Sequence, residues 1–491
     1  MINLKRQSNT ISADAYNGHA IVIGGSMAGL LAARVLADHY QQVTVLDRDE
    51  FPTEPNHRNG VPQSKHAHAI LPKGQMIIGR MFPGIIDEMK AEGARSAGSI
   101  HFVTPMGPLA QLELPPEATN DGVSVSRTLL EWHVRHRLSL LENITLFSRV
   151  DVQGLTTTED QTRVSGVRIH HRGGDKVGGN QDKATETMTA NLIVDASGRH
   201  SKTPKWLVEM GYDAPPEETI NTNMGYASRF YQKPANFHEK WDGILINVRP
   251  PNNPRAGLIL PIEDDKWHVS VGGMAGHYPP TDEEGFLKWA SELPDQGLYE
   301  AIRDAEPLSP IRGARTVTNH LRHYDKLKRW PQGLIVTGDA ACCFNPIYGQ
   351  GMTTSAMDAN ALRKTLETYG TKPGFERKFQ QALAKVVANP WFVATGEDLR
   401  WEETKLTGNQ EWGGAFRIKL TQRYSNLLLE QATVDPMVAS LYFAVTGMIM
   451  KPRMFTHPYI MARVLGGTVK RRLQGISSPI QTLKPTTAFS S

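Results

Sequence analysis

The chain has 491 residues, 40% hydrophobic and 21% charged, with 43 glycines and 31 prolines; these proportions exclude disordered, collagen-like and disulfide-scaffold classes and leave a globular protein long enough for roughly three domain-sized units. A formal net charge of +4 is too small, in a chain of this length, to indicate nucleic-acid binding on electrostatics alone. The two cysteines, Cys342 and Cys343, are neighbours, which makes neither a disulfide framework nor a four-ligand zinc site and fits a reducing, cytoplasmic compartment.

The first 18 residues are polar, with no apolar core after a basic start, so no secretory signal is predicted. From His19 the pattern is that of a βαβ unit. Ala20 to Ile23 is a continuous apolar run, Gly24-Gly25-Ser26-Met27-Ala28-Gly29 follows, and Ala28, Leu31, Ala32, Val35 and Leu36 then recur at helical spacing. Val43 to Leu46 reads as a second buried strand, closed by Asp47 and Arg48.

Phe51 to Pro72 is irregular and polar. Thr128 to Glu131 has the T-x-x-E form of a capping box, which predicts a helix carrying Leu130, Val134, Leu138 and Leu141 on one face and leaves Arg127 just outside its N-terminus, free to reach a ligand. Residues 145 to 195 look like a strand meander, interrupted by the polar loop Gly173 to Thr187, whose last strand runs into D-A-S-G-R-H-S at Asp195 to Ser201. The short alternating runs Gly243 to Val248, Gly257 to Ile262 and Trp267 to Val271 predict a separate antiparallel sheet, hence a second domain.

Leu334 to Thr337 is a further buried-strand run, ending in Gly338-Asp339-Ala340. After Pro346 and the turn Gly349-Gln350-Gly351, a helix is expected from about Met352 to Gly370, a residue suited to a left-handed cap. From Pro390 the chain reads as helical and connector-like, with a Ser/Thr/Pro-rich tail after Gln474. The longest apolar stretch, Met437 to Met450, spans 14 residues, short of the roughly 20 of a membrane-spanning helix.

A glycine-rich bend opening a helix lets backbone N–H groups and the positive helix end approach a pyrophosphate, while an acid closing the next strand accepts hydrogen bonds from a ribose. Gly24, Gly25, Gly29 and Asp47 stand in those positions, with Ser26 where the G-x-G-x-x-G frame has its middle glycine. Strand-ending acid/glycine turns recur at Asp195 to Ser201 and at Gly338 to Gly351. A nicotinamide domain needs one phosphate turn; a long FAD threading through the domain would use several.

With these three motifs, residues 18 to 390 resemble the single-component FAD monooxygenases of the p-hydroxybenzoate-hydroxylase superfamily, most nearly the bacterial polyether epoxidases of the monensin and lasalocid type. The resemblance implies a mixed α/β fold: a Rossmann-like FAD domain of the glutathione-reductase type (1–85, 120–215 and 320–389), interleaved with an antiparallel-sheet substrate domain (86–119 and 216–319). A C-terminal helical region (390–473) and a tail (474–491) follow. It implies that Gly24, Gly25, Ser26, Met27, Ala28 and Gly29 hold the FAD pyrophosphate, Asp47 and Arg48 the ribose side, and Arg127 the adenylate side. Asp195, Ser197 and Gly198 match the family's second motif, with Ala196 where that motif has glycine. Gly338 and Asp339 would meet the ribityl chain or pyrophosphate, and Pro346, Gly349, Gln350, Gly351 and Met352 would line the flavin. Arg58 and Gln63, in R-N-G-V-P-Q-S-K-H-A-H, would lie beside it.

The activity so implied is insertion of one oxygen atom from O2, by way of a C4a-hydroperoxyflavin, into a lipophilic substrate. Epoxidation of an olefinic polyketide or isoprenoid is the foremost expectation; an aromatic hydroxylase, a flavin halogenase, a saturating reductase of the geranylgeranyl-reductase kind and a non-catalytic flavin-binding protein are the alternatives. Electrons would come from NAD(P)H or a separate flavin reductase, since no second strand, G-x-G-x-x-G, helix unit follows. No catalytic side chain and no metal is assigned. The W-x-W-x-I-P signature of flavin halogenases is absent, its nearest pieces being Leu260-Pro261-Ile262 and Trp267. His57, His66 and His68 read as loop or flavin-side hydrogen-bonding groups, the cysteines as packing, and Tyr226, Phe230, Trp267 and Met274 as pocket candidates. Beyond Asp435 no acid occurs, while Lys451, Arg453, Arg463, Lys470, Arg471, Arg472 and Lys484 adjoin the apolar 437–450 stretch; peripheral contact with an anionic membrane competes there with an ordinary packed helix and solvated tail.

Overall fold

In the computed structural model, residues 16–96, 100–110, 122–172, 185–315, 318–408 and 414–475 are described. Most of the glycine-containing loop 173–187, the tail from 476 and Lys484 lie outside them. The helices are α1 (Met27–Leu36), α2 (Pro72–Met81), α3 (Ile85–Ala91), α4 (Arg127–Ser139), α5 (Thr203–Glu209), α6 (Glu283–Ser291), α7 (Gly297–Ile302), α8 (Gly351–Tyr369), α9 (Phe375–Asp398), α10 (Gly414–Ala432), α11 (Pro436–Thr446) and α12 (Pro458–Leu473).

A five-stranded parallel sheet runs in the order Leu334–Val336, Leu192–Asp195, Tyr16–Ile23, Tyr40–Leu46, Ile144–Phe147. Its strands are continuous Val/Ile/Leu runs because helices cover both faces of a parallel sheet; Ala20 to Val22, Leu192 to Val194 and Leu334 to Val336 have no exposed surface. The register pairs Ile23 with Asp195 and Asp195 with Val336. The three turns that follow these strands, at Gly24, Asp195 and Gly338 and so well separated in sequence, therefore emerge side by side at the carboxyl edge, where open α/β sheets bind ligands.

The expected 145–195 meander divides between two sheets. Ile144–Phe147 and Leu192–Asp195 join the parallel sheet, while Val150–Thr157, Val164–His171 and Glu186–Thr189 form an antiparallel one. Strand pairing across the molecule decided this, and local alternation carries no information about it.

The second domain's sheet has seven strands, ordered Arg312–Arg315, Gly225–Gln232, Lys266–Gly273, Arg255–Ile262, Gly243–Ile246, Ile100–Thr104, Gly107–Pro108. All pairs are antiparallel except Gly243–Ile246 with Ile100–Thr104. Period-2 alternation splits its residues between two faces. Ala227, Tyr231, Trp267, Val269 and Val271 pack under α6 and α7 with Phe286 and Trp289. Tyr226, Ser228, Phe230, His268 and Ser270 face the other way: Phe230 stacks on His268 at 4.0 Å and Ser228 Oγ lies 2.5 Å from Ser270 Oγ. Trp267, expected in the pocket, is fully buried in the far-face core, because it is one residue out of phase with His268.

Three local expectations differ from what is observed. The cap of α4 is Ser126, whose Oγ accepts from Leu129 N–H at 3.2 Å, so Arg127 is the first helical residue and Thr128 the second. Gly370 ends α8 at φ +60°, ψ −152°, a region open to glycine but outside the left-handed helical basin. The line drawn at Pro390 falls inside the continuous helix α9. Beyond it, Leu428, Ala432, Val438, Ala439 and Val464 form a separate small core for α10 to α12, joined to the sheet where Phe102 meets Phe443 edge-on at 4.6 Å.

Candidate cofactor and substrate site

Gly24, at φ +105°, turns the chain out of the first strand. A Cβ there would lie 2.4 Å from Ala196 O, and one on Gly29 would lie 1.8 Å from Gly24 O, so the second turn and α1 both close on bare backbone. Asp47 sits where the ribose acid is expected and also braces the turn: its Oδ2 accepts from Gly25 N–H at 2.7 Å and its Oδ1 from Asp49 N–H at 2.9 Å. Arg58 reaches Asp47 Oδ2 at 3.1 Å, Glu131 Oε1 at 2.9 Å and Gly25 O at 2.9 Å, and these carboxylates raise its pKa against the burial that opposes them.

Arg127 is drawn into the same cluster. Its guanidinium donates to Ser26 Oγ at 2.8 Å and approaches Glu131 Oε2 at 3.5 Å, so it is engaged rather than free. Burial lowers its pKa, only partly offset by Glu131 and Asp339, and its Nε has no hydrogen-bond partner among the described residues. Ser26, which occupies the middle-glycine position, thereby acquires a role: it links the first turn to α4. Among the other expected residues, Arg48 is exposed, Gln63 is half-buried with its carbonyl accepting from His68 Nε2 at 2.6 Å, and Met27 is buried beneath the turn.

In the second turn, Asp195 serves the backbone. Its oxygens accept from Ser197 N–H at 2.9 Å and from the hydroxyls of Ser201 and Thr203 at 2.5 Å each. Gly198, at φ +86°, has open space on its Cβ side. In the third turn, Gly338 sits at φ +61° with its Cβ direction 2.5 Å from Ala28 Cβ, so this turn packs directly on α1. Asp339 faces Arg127 and Arg199; burial raises its pKa while both cations lower it. Cys342 and Cys343 are buried, and burial pushes both thiols up, away from the reactive thiolate.

The chain then reaches Pro346, in the 3₁₀ turn Pro346–Tyr348, the positive-φ Gly349, and Gln350 at the start of α8. Opposite lies the 66–71 segment, tied to α8 where Leu71 N–H donates to Thr353 Oγ1 at 2.9 Å. Between them the nearest atom to a Cβ on Gly349 would be Ala69 Cβ at 3.9 Å, and a Cβ on Gly351 would meet nothing within 4 Å. Met352 is buried just inside α8.

The near face of the seven-stranded sheet closes this region. Met224, Met274 and Trp401 pack with Tyr226 and with Ile347 of the turn before Gly349. His66 Nδ1 lies 3.0 Å from Ser228 Oγ, and the His66 ring meets Tyr226 edge-on at 4.5 Å. Desolvation lowers the pKa of His66 to about 4 and that of His68 to about 3, and drives His268 well below the usual histidine range. These imidazoles are neutral at pH 7, which accords with hydrogen-bonding rather than charge. His57, with Nδ1 2.9 Å from Ser64 Oγ, shares their company.

Several residues escaped the sequence reading. Glu131 was legible as the end of a T-x-x-E pattern, but its partnership with Arg58 and Arg127 was not. Asp358, one helical turn and more into α8, accepts from Gly338 N–H at 3.2 Å; burial raises its pKa to about 8. His268, Ser228 and Ser270 join the site only through strand pairing, and Arg199 was visible within D-A-S-G-R without an assigned partner.

Do these residues fit FAD? Both α1 and α8 begin without a side-chain cap and without an acid in the first turn, so their first N–H groups and positive ends remain available to an anion. The buried Arg127 Nε and Gln350 Oε1 find no hydrogen-bond partner among the described residues. An uncapped helix end at each extremity, glycines with clear space at 198 and 351, and a buried cation short of counter-charge suit a long ligand with a central pyrophosphate.

Comparison with known proteins agrees. A family model described as "FAD binding domain" matches residues 18–372. Protein Rv3254 of Mycobacterium tuberculosis is 31% identical over 411 residues, covering 80% of this chain and 83% of that protein. Among solved structures, p-nitrophenol 4-monooxygenase PnpA from Pseudomonas putida DLL-E4 has a TM-score of 0.62 at 15% identity, over 90% of this chain and all of that one. The flavin-dependent brominase Bmp2 has a TM-score of 0.61 at 12% identity, over 94% of this chain and 100% of that one. At such identities the likeness is one of fold.

Proposed function

The chain belongs to the FAD binding domain family, and from that premise we propose that it is a FAD-dependent monooxygenase acting on a lipophilic substrate, in particular an epoxidase of an olefinic polyketide or isoprenoid. In balanced form, alkene, O2, NAD(P)H and a proton give epoxide, NAD(P)+ and water, the reductant arriving directly or through a separate flavin reductase. The observation that carries this reading is the near-face wall of the second domain. Phe230, Leu258 and Leu260 share the face of the paired central strands that bears Ser228 and Ser270, Met274 packs beside Tyr226, and His268 on that face, like His66 and His68 of the 66–71 segment, is held neutral.

When bound, FAD supplies the redox chemistry with oxygen; the protein's residues bind, orient and dry the site. Gly24 to Gly29 would hold the pyrophosphate, joined by Arg127, which the resemblance places on the adenylate side and which its bond to Ser26 draws to the first turn, and Asp47 would hold the ribose. The α8 N-terminus would favour negative charge on the reduced ring, an effect of about 0.3–1 kcal/mol when exposed and up to about 2 kcal/mol when partly buried. Apolar side chains on the near face would exclude water and orient the substrate. His66, fixed by Ser228, offers a neutral hydrogen-bonding group to any oxygen the substrate carries. An alkene needs no side-chain base for oxygen transfer, which suits a wall whose charged residue in the central strands, Lys266, stands at the strand end and is paired with Asp264 at 3.0 Å.

Absence of the W-x-W-x-I-P signature weighs against halogenation, and the one tryptophan near Leu260-Pro261-Ile262 is Trp267, turned to the far-face core. The deciding experiment takes the FAD-loaded protein with NAD(P)H and a panel of olefins and phenols, following O2 uptake and product mass. The expected result is O2-dependent product one oxygen heavier, from olefins. A halide-dependent product, or an anaerobic product two hydrogens heavier, would replace the reading with a halogenase or a saturating reductase; FAD retention without turnover, with or without a reductase, would leave a binding protein.

A further inference from the structure

α12 has apolar residues on two sides. Ile460 and Val464 are buried in the small C-terminal core. Met461, Leu465, Val469 and Leu473 recur every four residues, which aligns them along one flank of the helix, and they are 36, 45, 57 and 83% exposed. Single exposed apolar residues are ordinary, but a contiguous stripe marks a surface that something covers. The patch extends past α12. Arg463 joins Asp435 at 2.8 Å and Tyr459 Oη at 3.0 Å, holding the start of α11, with exposed Val434 and Met437, beside the helix.

Charge selects the covering partner. No acid follows Asp435 in the sequence. Two of the basic residues are spent internally, Arg463 on Asp435 and Arg471 on Glu430 at 3.9 Å and Gln431 at 2.5 Å. Lys451, Arg453, Lys470 and Arg472 are exposed and make no ion pair among the described residues. Lys470 and Arg472 lie between Val469 and Leu473, so the cations border the apolar stripe itself.

We propose that this face docks on an anionic lipid surface, with α12 lying in the plane of the interface and its Met461-to-Leu473 stripe entering the headgroup–acyl boundary. No helix among the described residues is long and apolar enough to cross a membrane, which leaves α12 an interfacial element. A second copy of the chain covering the stripe across a two-fold axis would bring like cations together, whereas anionic headgroups neutralise them. The docking stands independently of the oxygenase reading, since its test reads binding alone; where both hold, the enzyme sits where lipophilic substrates dissolve.

The test is co-sedimentation of the FAD-loaded full chain with phosphatidylglycerol–phosphatidylcholine vesicles and with phosphatidylcholine vesicles, at physiological salt. Binding is expected only to the first, falling as salt is raised. Leu465→Glu with Val469→Glu should weaken it about tenfold or more, and Lys470→Ser with Arg472→Ser roughly fivefold per cation removed. All four positions are exposed, so the fold should persist, as an unchanged flavin spectrum would show. Val208→Glu, an exposed apolar residue on α5, should bind like wild type. Absence of pelleting with anionic vesicles overturns the proposal, as does equal pelleting of wild type and stripe variant, or of anionic and neutral vesicles. A dimer that the stripe substitutions dissolve, without vesicle binding, would assign the face to a second copy instead.

Discussion

Two residues of the proposed cofactor cradle show how narrowly it is specified. Gly338 combines a positive φ with a Cβ direction 2.5 Å from Ala28 Cβ, so Gly338→Ala both strains the turn and pushes the third motif off α1. That variant is expected to be purified with little FAD and a lowered Tm; wild-type flavin content and Tm would contradict the packing argument. Arg127 is different, because its burial is incompletely compensated in the protein alone. Arg127→Ala should weaken FAD binding about tenfold to a hundredfold, the value of a charge-assisted contact, measured by flavin fluorescence titration. Much of its effect on the unliganded protein should be small, since the variant also releases Ser26 and Glu131 from a buried cation.

At the scale of the element, α8 unites the site. Its N-terminus faces the 66–71 segment, and Asp358 on its buried side accepts the Gly338 N–H that begins the third motif. The folded pKa of Asp358, about 8, lies above the ordinary aspartate value of 3.8, so the folded protein holds a proton there that the unfolded chain has lost. This contribution to stability is whole below about 3.8 and is lost as pH rises toward about 8. Asp358→Asn, neutral at every pH, should therefore gain on wild type as pH rises; the difference in Tm between the two holoproteins, followed across that window, is the measurement, and a constant difference would show that Asp358 is not titrating. His66 has the opposite sign. Its folded pKa, about 4, lies below the ordinary 6.5, so stability is lost as pH falls through that interval, and His66→Gln should flatten the acid limb of a Tm–pH profile.

For the whole molecule, the parity of the second domain's strands separates a core-packed face from the face proposed to meet the substrate. Trp267→Ala empties the far-face core and should cost about 3–5 kcal/mol in chemical denaturation. Leu258→Ala, on the near face and only half-buried, should leave the denaturation midpoint almost unchanged and raise the KM for a lipophilic substrate about tenfold. Reversal of that pattern would mean that the faces have been assigned backwards. The C-terminal helices add a third surface, whose exposed stripe is the face proposed to dock on lipid.

Apolar runs, glycine turns and a strand-closing acid were local enough to be read directly, which is why the βαβ unit, the three acid/glycine motifs and the α8 helix, one residue from its observed start, were legible. The cap of α4 was misread because Ser126 and Thr128 are equivalent as residue types, and only the backbone says which one receives Leu129 N–H. Nothing in the chain's order announced that Arg58 would join Glu131, that His268 would stack on Phe230, or that Trp267 would turn its back on the site. Local chemistry and periodicity are properties of a dozen residues and are written in the sequence; pairing register, burial and the neutralisation of charges depend on segments far apart in the chain being brought together, and those only the tertiary structure decided.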